Sequence, residues 1–166
     1  GEIITTDNGY ADHVDLEKDI LKIAVVERHK GTHHIGLGYI QGYGLKSGAV
    51  ATSVAHDSHN IICVGTNDED MAFAVNRIAQ NRGGIVVVEN GQVLAELPLE
   101  IAGIISGKPL REVNTLLEDA KKAAHALGVG TDIDPFMTLS FMSLPVIPTL
   151  RLTTRGVVDV NTQQYV

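Results

Sequence analysis

Residues 49–70 read AVATSVAHDSHNIICVGTNDED, and they restrict the fold more than any other stretch. Two β-prone runs, residues 49–54 and 61–64, flank five polar side chains: His56, Asp57, Ser58, His59 and Asn60. Apolar runs this short and this close predict neighbouring strands of one sheet, with the polar cluster at the sheet's edge. A minimal hairpin would use Asn-Gly or Asp-Gly, which accept positive φ at little cost. Five side chains able to donate, accept or titrate exceed what a turn needs. One reading is a polar loop whose Asp and Asn bond local backbone. The other, which we favour, is a loop held by two strands and aimed at a ligand.

Upstream, residues 1–19 are polar and irregular, with Asp7-Asn8-Gly9 as a turn signal, and read as a tail or linker. Residues 22–29 (KIAVVERH) predict a strand, followed by a basic loop holding His29, Lys30, His33 and His34. No cysteine or third ligand stands at useful spacing, so this tetrad reads as a solvated loop rather than a structural metal site. Glycines then recur at 36, 38, 42, 44 and 48. A dinucleotide fingerprint needs its glycine turn to open a helix. These glycines lead into the run 49–54, so they argue instead for close backbone approach or a bulged strand.

Downstream, Thr66 and Glu69 stand at capping-box spacing ahead of a helix whose apolar face is Met71, Ala72, Val75, Ile78 and Ala79. Gly83-Gly84 ends it. Residues 85–89 and 92–97 predict a hairpin through Asn90-Gly91. A connector with room for a short helix, residues 98–107, leads to Pro109 at the first turn of a second helix. Leu110, Val113, Leu117, Ala120, Ala124 and Leu127 form its buried stripe, and Gly128 closes it. Asp134-Pro135 opens a short helix in PFMTLSFMSL, apolar on nearly every side and therefore destined for the core or a partner surface. Pro145 and Pro148 enforce an extended segment, and residues 150–153 and 157–160 read as closing strands.

Strand, strand, strand, helix, hairpin, helix is not the alternation of a doubly wound fold. The expected class is α+β: a mixed, largely antiparallel β-sheet with two main helices packed on it. The chain's 166 residues, 44% hydrophobic, suffice for one core or for the back part of a larger protein. A net charge of −7 without Lys/Arg clusters, and no tryptophan, argue against a nucleic-acid partner. No apolar run is long enough to cross a bilayer and no signal-peptide pattern opens the chain, so the expectation is no membrane and a cytoplasmic location. Cys63, alone in an apolar strand, reads as a small buried hydrophobe.

His56 and His59 form His-x-x-His, but a hydrolytic metal site needs three protein ligands and an open position. Asp57, adjacent to His56, is poorly placed to point inward with it. No metal ligand is assigned.

The strings SVAHDSHN, IICVGTND, DPFMTLSF and LPVIP resemble the C-terminal region of bacterial adenine deaminases of the amidohydrolase superfamily, over residues 22–160. The resemblance implies that residues 20–166 form that C-terminal domain, and that the chain starts after the family's metal-binding barrel. The family hydrolyses adenine to hypoxanthine and ammonia in purine salvage. A divalent metal, manganese or iron, supplies hydroxide there by lowering the pKa of bound water to about 7. The family's ligands include a His-x-His pair on the barrel, and this sequence has no His-x-His. None is therefore carried over, and the chain by itself is expected to be inactive.

What the chain can offer is a polar loop over the barrel mouth. Asp57 could accept from a ring N–H or the exocyclic amine, His56 or His59 could donate to a ring nitrogen, and Asn60 could do both. Ser58 completes the loop. The implied partners are adenine and the N-terminal barrel of the same protein, with a homo-oligomer left open. The alternative is a stand-alone small-ligand-binding or interaction module without catalysis. An upstream reading frame bearing a His-x-His barrel separates the two.

Overall fold

The computed structural model of the chain describes residues 1–4 and 13–166. A seven-stranded sheet forms its centre, in the spatial order β1 (Glu2–Ile4), β3 (Ile35–Gln41), β2 (Ile20–Val26), β5 (Ile61–Gly65), β4 (Ala49–Thr52), β6 (Gly84–Glu89) and β7 (Gln92–Pro98). Every neighbouring pair is antiparallel. The central strands β4 and β5 are buried at every residue, so they are covered on both faces and show no polar alternation. The runs on either side of the polar cluster are thus paired neighbours, with Thr52 opposite Ile62.

The sheet divides the core in two, because side chains alternate between its faces. Leu21, Ile23 and Val25 of β2 face one side with Val50, Ile62, Val64 and Val87. That side is closed by α2 (Leu110–Ala126), α3 (Pro135–Met142) and a separate three-stranded sheet of β8 (Leu150–Thr153), β9 (Gly156–Asp159) and β10 (Gln164–Tyr165). Ala24, Ala49, Ala51 and Cys63 face the other side, under α1 (Asp68–Gln80). Small residues there let α1 sit close: a Cβ on Gly65 would run into Met71. Burying a Leu or Ile side chain is worth roughly 1.5–3 kcal/mol, so the larger cluster carries most of the stability. The expected class, a largely antiparallel α+β sheet with two main helices, is the one observed.

Some local expectations shift. The capping residue of α1 is Asn67, one position after Thr66: its side chain accepts the N–H of Asp70 at 2.8 Å, and its amide donates to Asp70 at 3.1 Å. The buried face of α1 is Met71, Ala74 and Ile78, while Ala72 and Ala79 are exposed. Leu110, at the first residue of α2, is 84% exposed and does not belong to the buried stripe. Of residues 98–107, Pro98 ends β7 and the rest form turns closed by a bridge between Ile101 and Ile105, with no helix. Within the stretch read as a tail, Glu2–Ile4 adds an edge strand beside β3, and the Asp7-Asn8-Gly9 turn signal lies outside the described residues. Asn90 and Gly91 take positive φ in the predicted β6–β7 turn. Asp134 caps α3, accepting the N–H groups of Phe136 and Met137.

Candidate functional site

The strand order brings four connections to one end of the sheet. Val26 of β2 lies opposite both Ile35 of β3 and Ile61 of β5, Thr52 of β4 lies opposite Ile85 of β6, and Gly84 lies opposite Pro98 of β7. The β2–β3 loop, the β4–β5 loop, the α1–β6 turn and the connector after β7 therefore all lie at this end. The β4–β5 loop is the one that carries His56, Asp57, Ser58, His59 and Asn60.

A cleft of about 400 Å³ opens against this loop. Asp57, Ser58 and Asn60 form one wall, Ser143 to Val146 a second, and Thr153-Thr154, at the β8–β9 turn, a third, with Val25 also lining it. Its volume falls in the roughly 300–1,000 Å³ range of small-molecule sites. Among the described residues Asp57 is the sole ionisable side chain on the lining, accompanied by the hydroxyls of Ser58, Ser143, Thr153 and Thr154. Asp57 can only accept and the Asn60 amide can do both, while the Ser143 hydroxyl donates to the His56 carbonyl at 3.5 Å and the Thr153 hydroxyl to the Gly156 carbonyl at 3.1 Å. The rest of the lining is apolar through Val25, Leu144, Pro145 and Val146. It carries no cation to meet a phosphate.

The two histidines sit behind the wall. The His56 ring tilts against Phe141 with centroids 5.1 Å apart, its backbone N–H donates to the Ser140 carbonyl at 3.1 Å, and its ring meets that of His59 edge-on at 6.3 Å. His59 takes positive φ, and its Nδ1 is buried without a hydrogen-bond partner among the described residues. An unpaired buried polar atom costs about 1–3 kcal/mol, which local turn chemistry gives no reason to bear. Asn60 is buried, and its Oδ1 accepts the backbone N–H of Arg28 at 3.3 Å.

The neighbouring β2–β3 loop braces this arrangement. Glu27 accepts the backbone N–H groups of His29, Lys30 and Thr32 and the Thr32 hydroxyl. Desolvation pushes its carboxyl upward, but those four donors outweigh it and hold the pKa down at about 2. The loop so formed presents His29, whose Nε2 donates to the Ser58 carbonyl at 2.7 Å, and Arg28, whose Nε donates to the His59 carbonyl at 2.6 Å. Burial lowers the pKa of the Arg28 guanidinium. His33 and His34 stay exposed.

Among the described residues no group of three or more His, Cys, Asp or Glu is arranged to hold a metal ion, and His56 and His59 supply two rings without a third ligand. The donor set does not fit the family's metal, so no step passes through one. Cys63 is buried, and burial pushes its thiol well above its usual range.

Of the residues that line or brace this cleft, the sequence singled out Asp57, Ser58 and Asn60 but not Ser143, Thr153, Thr154 or Arg28, and it read His29 only as part of a solvated loop. The only available signal was the proline-broken segment after α3, which the strings above had already singled out for another reason.

Together, the fold and the site describe an antiparallel α+β domain with a cleft at one end of its sheet, apolar over most of its surface and bearing one carboxylate. The family model for the adenine deaminase C-terminal domain matches residues 2–164. The chain belongs to that family. It is similar to adenine deaminases of Nitratidesulfovibrio vulgaris (54% identical over 147 residues, 88% of this chain and 26% of the relative) and Brucella anthropi (52% over 152 residues, 92% and 27%). It is likewise similar to that of Bacillus subtilis, at 49% over 152 residues, 92% of this chain and 26% of the relative. The chain spans about a quarter of the length of these curated relatives.

Proposed function

We propose that the chain is the C-terminal part of an adenine deaminase, which hydrolyses adenine to hypoxanthine and ammonia in purine salvage, in the cytoplasm. In this reading the cleft closes over an active site borne by the rest of the protein. That remaining part holds the divalent metal, manganese or iron, since the described residues here offer no ligand set. The observation that carries the proposal is the meeting of two distant stretches across one cleft: the HDSHN loop, through Asp57, Ser58 and Asn60, and the LPVIP segment, through Leu144 to Val146. Both belong to the strings by which the chain resembles the family.

The division of labour follows from the lining. Asp57, exposed at the rim, accepts from the ring N–H or the exocyclic amine of the base, and Asn60 and the hydroxyls satisfy the ring nitrogens. His56 and His59 lie behind them and fix the loop's shape. Closing a wall of this kind over a bound ring also excludes water, which strengthens each polar contact inside.

The test is hypoxanthine formation from adenine by the full-length protein, with Ser143→Ala and Asp57→Ala compared with wild type. Lower kcat/KM at unchanged thermal midpoint in the variants supports the proposal. An active full-length protein indifferent to both changes would leave this domain as an interaction module without a part in the site.

A further inference from the structure

Three loops meet beside the cleft, and one side chain joins them. Arg28 follows β2. Its Nε donates to the His59 carbonyl at 2.6 Å, its Nη2 donates to the Ala102 carbonyl at 2.6 Å, and its backbone N–H donates to Asn60 Oδ1 at 3.3 Å. Gly103 lies flush against the guanidinium, where any Cβ would overlap it. The connector is in turn tied to the sheet by Ser53, whose Oγ donates to the Gly103 carbonyl at 2.6 Å and accepts the Gly84 N–H at 2.8 Å. The Arg28 side chain thus bonds main-chain carbonyls of two loops, while its backbone takes up the Asn60 amide.

We infer that Arg28 is the positioning residue of the 56–60 loop. Its guanidinium fixes the main chain at His59, and through it the places of Asp57, Ser58 and Asn60 on the cleft wall; the backbone N–H that holds the Asn60 amide is kept in every Arg28 variant. A planar guanidinium reaches two acceptors at fixed angles, whereas a lysine ammonium is a single point donor on a flexible stem. His29 braces the same loop one residue earlier, at the Ser58 carbonyl. The importance of Arg28 to turnover rests on the cleft being part of the deaminase site, because displacing a polar group by about 1 Å can cost on the order of a hundredfold in rate.

The experiment uses the full-length protein as wild type, Arg28→Ala, Arg28→Lys, Asp57→Ala and the Arg28→Ala/Asp57→Ala double variant. It measures amide hydrogen–deuterium exchange at residues 56–60 and 101–105, and kcat and KM for adenine. Arg28→Ala is expected to speed exchange in both segments about tenfold or more, with the amides of β4 and β5 unchanged. Its kcat/KM should fall roughly ten- to a hundredfold. In the double variant the loss should be much smaller than the product of the two single losses, since the arginine acts through the loop that Asp57 occupies. Arg28→Lys should fall between wild type and Arg28→Ala, and it carries both measurements if Arg28→Ala does not fold. Unchanged exchange at 56–60, or losses that simply multiply, would overturn the inference. Wild-type kinetics in Asp57→Ala would instead sink the deaminase-site reading, while exchange at 56–60 still reads the Arg28 restraint on its own.

Discussion

Gly36 of β3 lies directly beneath the carbonyl of Thr153, so close that a Cβ on Gly36 would overlap the carbonyl oxygen. This contact seats the β8–β9 hairpin on the main sheet. It also sets the height of Thr153-Thr154, one wall of the cleft.

Gly36→Ala should therefore push the hairpin away. Forcing an extra carbon into a packed contact costs typically about 1–3 kcal/mol. The expected outcome is a lower thermal midpoint together with a raised KM for adenine in the full-length protein. Gly31 is a matched control, because nothing lies within 4 Å of a Cβ built there, although its positive φ makes any side chain mildly strained.

Asp70 anchors the hairpin turn to α1. It is buried, its Oδ1 accepts the Gly91 N–H at 2.8 Å, and its Oδ2 accepts the Asn90 N–H at 3.2 Å and the Asn67 amide at 3.1 Å. Asp70→Ala strands these donors. It should cost about 1–3 kcal/mol, read from denaturant unfolding, and leave kinetics per folded molecule unchanged.

Acid unfolding follows from the same carboxylates. Desolvation raises Asp70, but the Gly91, Asn67 and Asn90 donors outweigh it and hold its pKa below the usual 3.8. Glu27 is likewise held at about 2 against the usual 4.5. Depressed carboxyls stabilise the fold fully above their unfolded pKa values and lose that contribution as pH falls through the folded ones. Stability should thus decline between about pH 4.5 and 2. Glu27→Gln should flatten that decline in a pH series of unfolding midpoints.

The chain alone, with manganese, iron or zinc added, should release no ammonia from adenine, because no metal-ligand group of three or more exists among the described residues. Ammonia release on the order of 1 per second from the purified chain would contradict this.

Much of the fold was legible because its signals are local. The β-prone runs at 49–54 and 61–64 read as strands and form the buried β4 (Ala49–Thr52) and β5 (Ile61–Gly65), and Asn90-Gly91 admits few conformations other than a tight turn. The cap of α1 was placed one residue early because Thr66/Glu69 and Asn67/Asp70 have the same spacing, and only the burial of Asp70 under the turn distinguishes them. Leu110 fits the helical stripe by period, yet it lies at the helix start, beyond the sheet it would need to touch. The three-residue strand β1 and the separate β8–β10 sheet are too short to signal their partners. At the site, the polar loop was visible as an excess of functional groups. The walls facing it were not, since Ser143 and Thr153 join it only through tertiary packing.

The central claim is that the 56–60 loop serves the substrate and not only the fold, and Asp57→Ala and His59→Ala in the full-length protein test it most directly. Asp57 is exposed and the flanking strands carry the packing, so its truncation should shift stability by less than about 0.5 kcal/mol. A hydrogen bond that strengthens in the transition state is worth about 2–4 kcal/mol, or roughly thirty- to a thousandfold in kcat/KM. His59→Ala, which removes the ring packed edge-on against His56 behind the wall, should lower kcat/KM in the same direction. Asp57→Ala should show a sharp fall in kcat/KM with a nearly unchanged thermal midpoint. Near-wild-type kcat/KM with a clear drop in midpoint would contradict it.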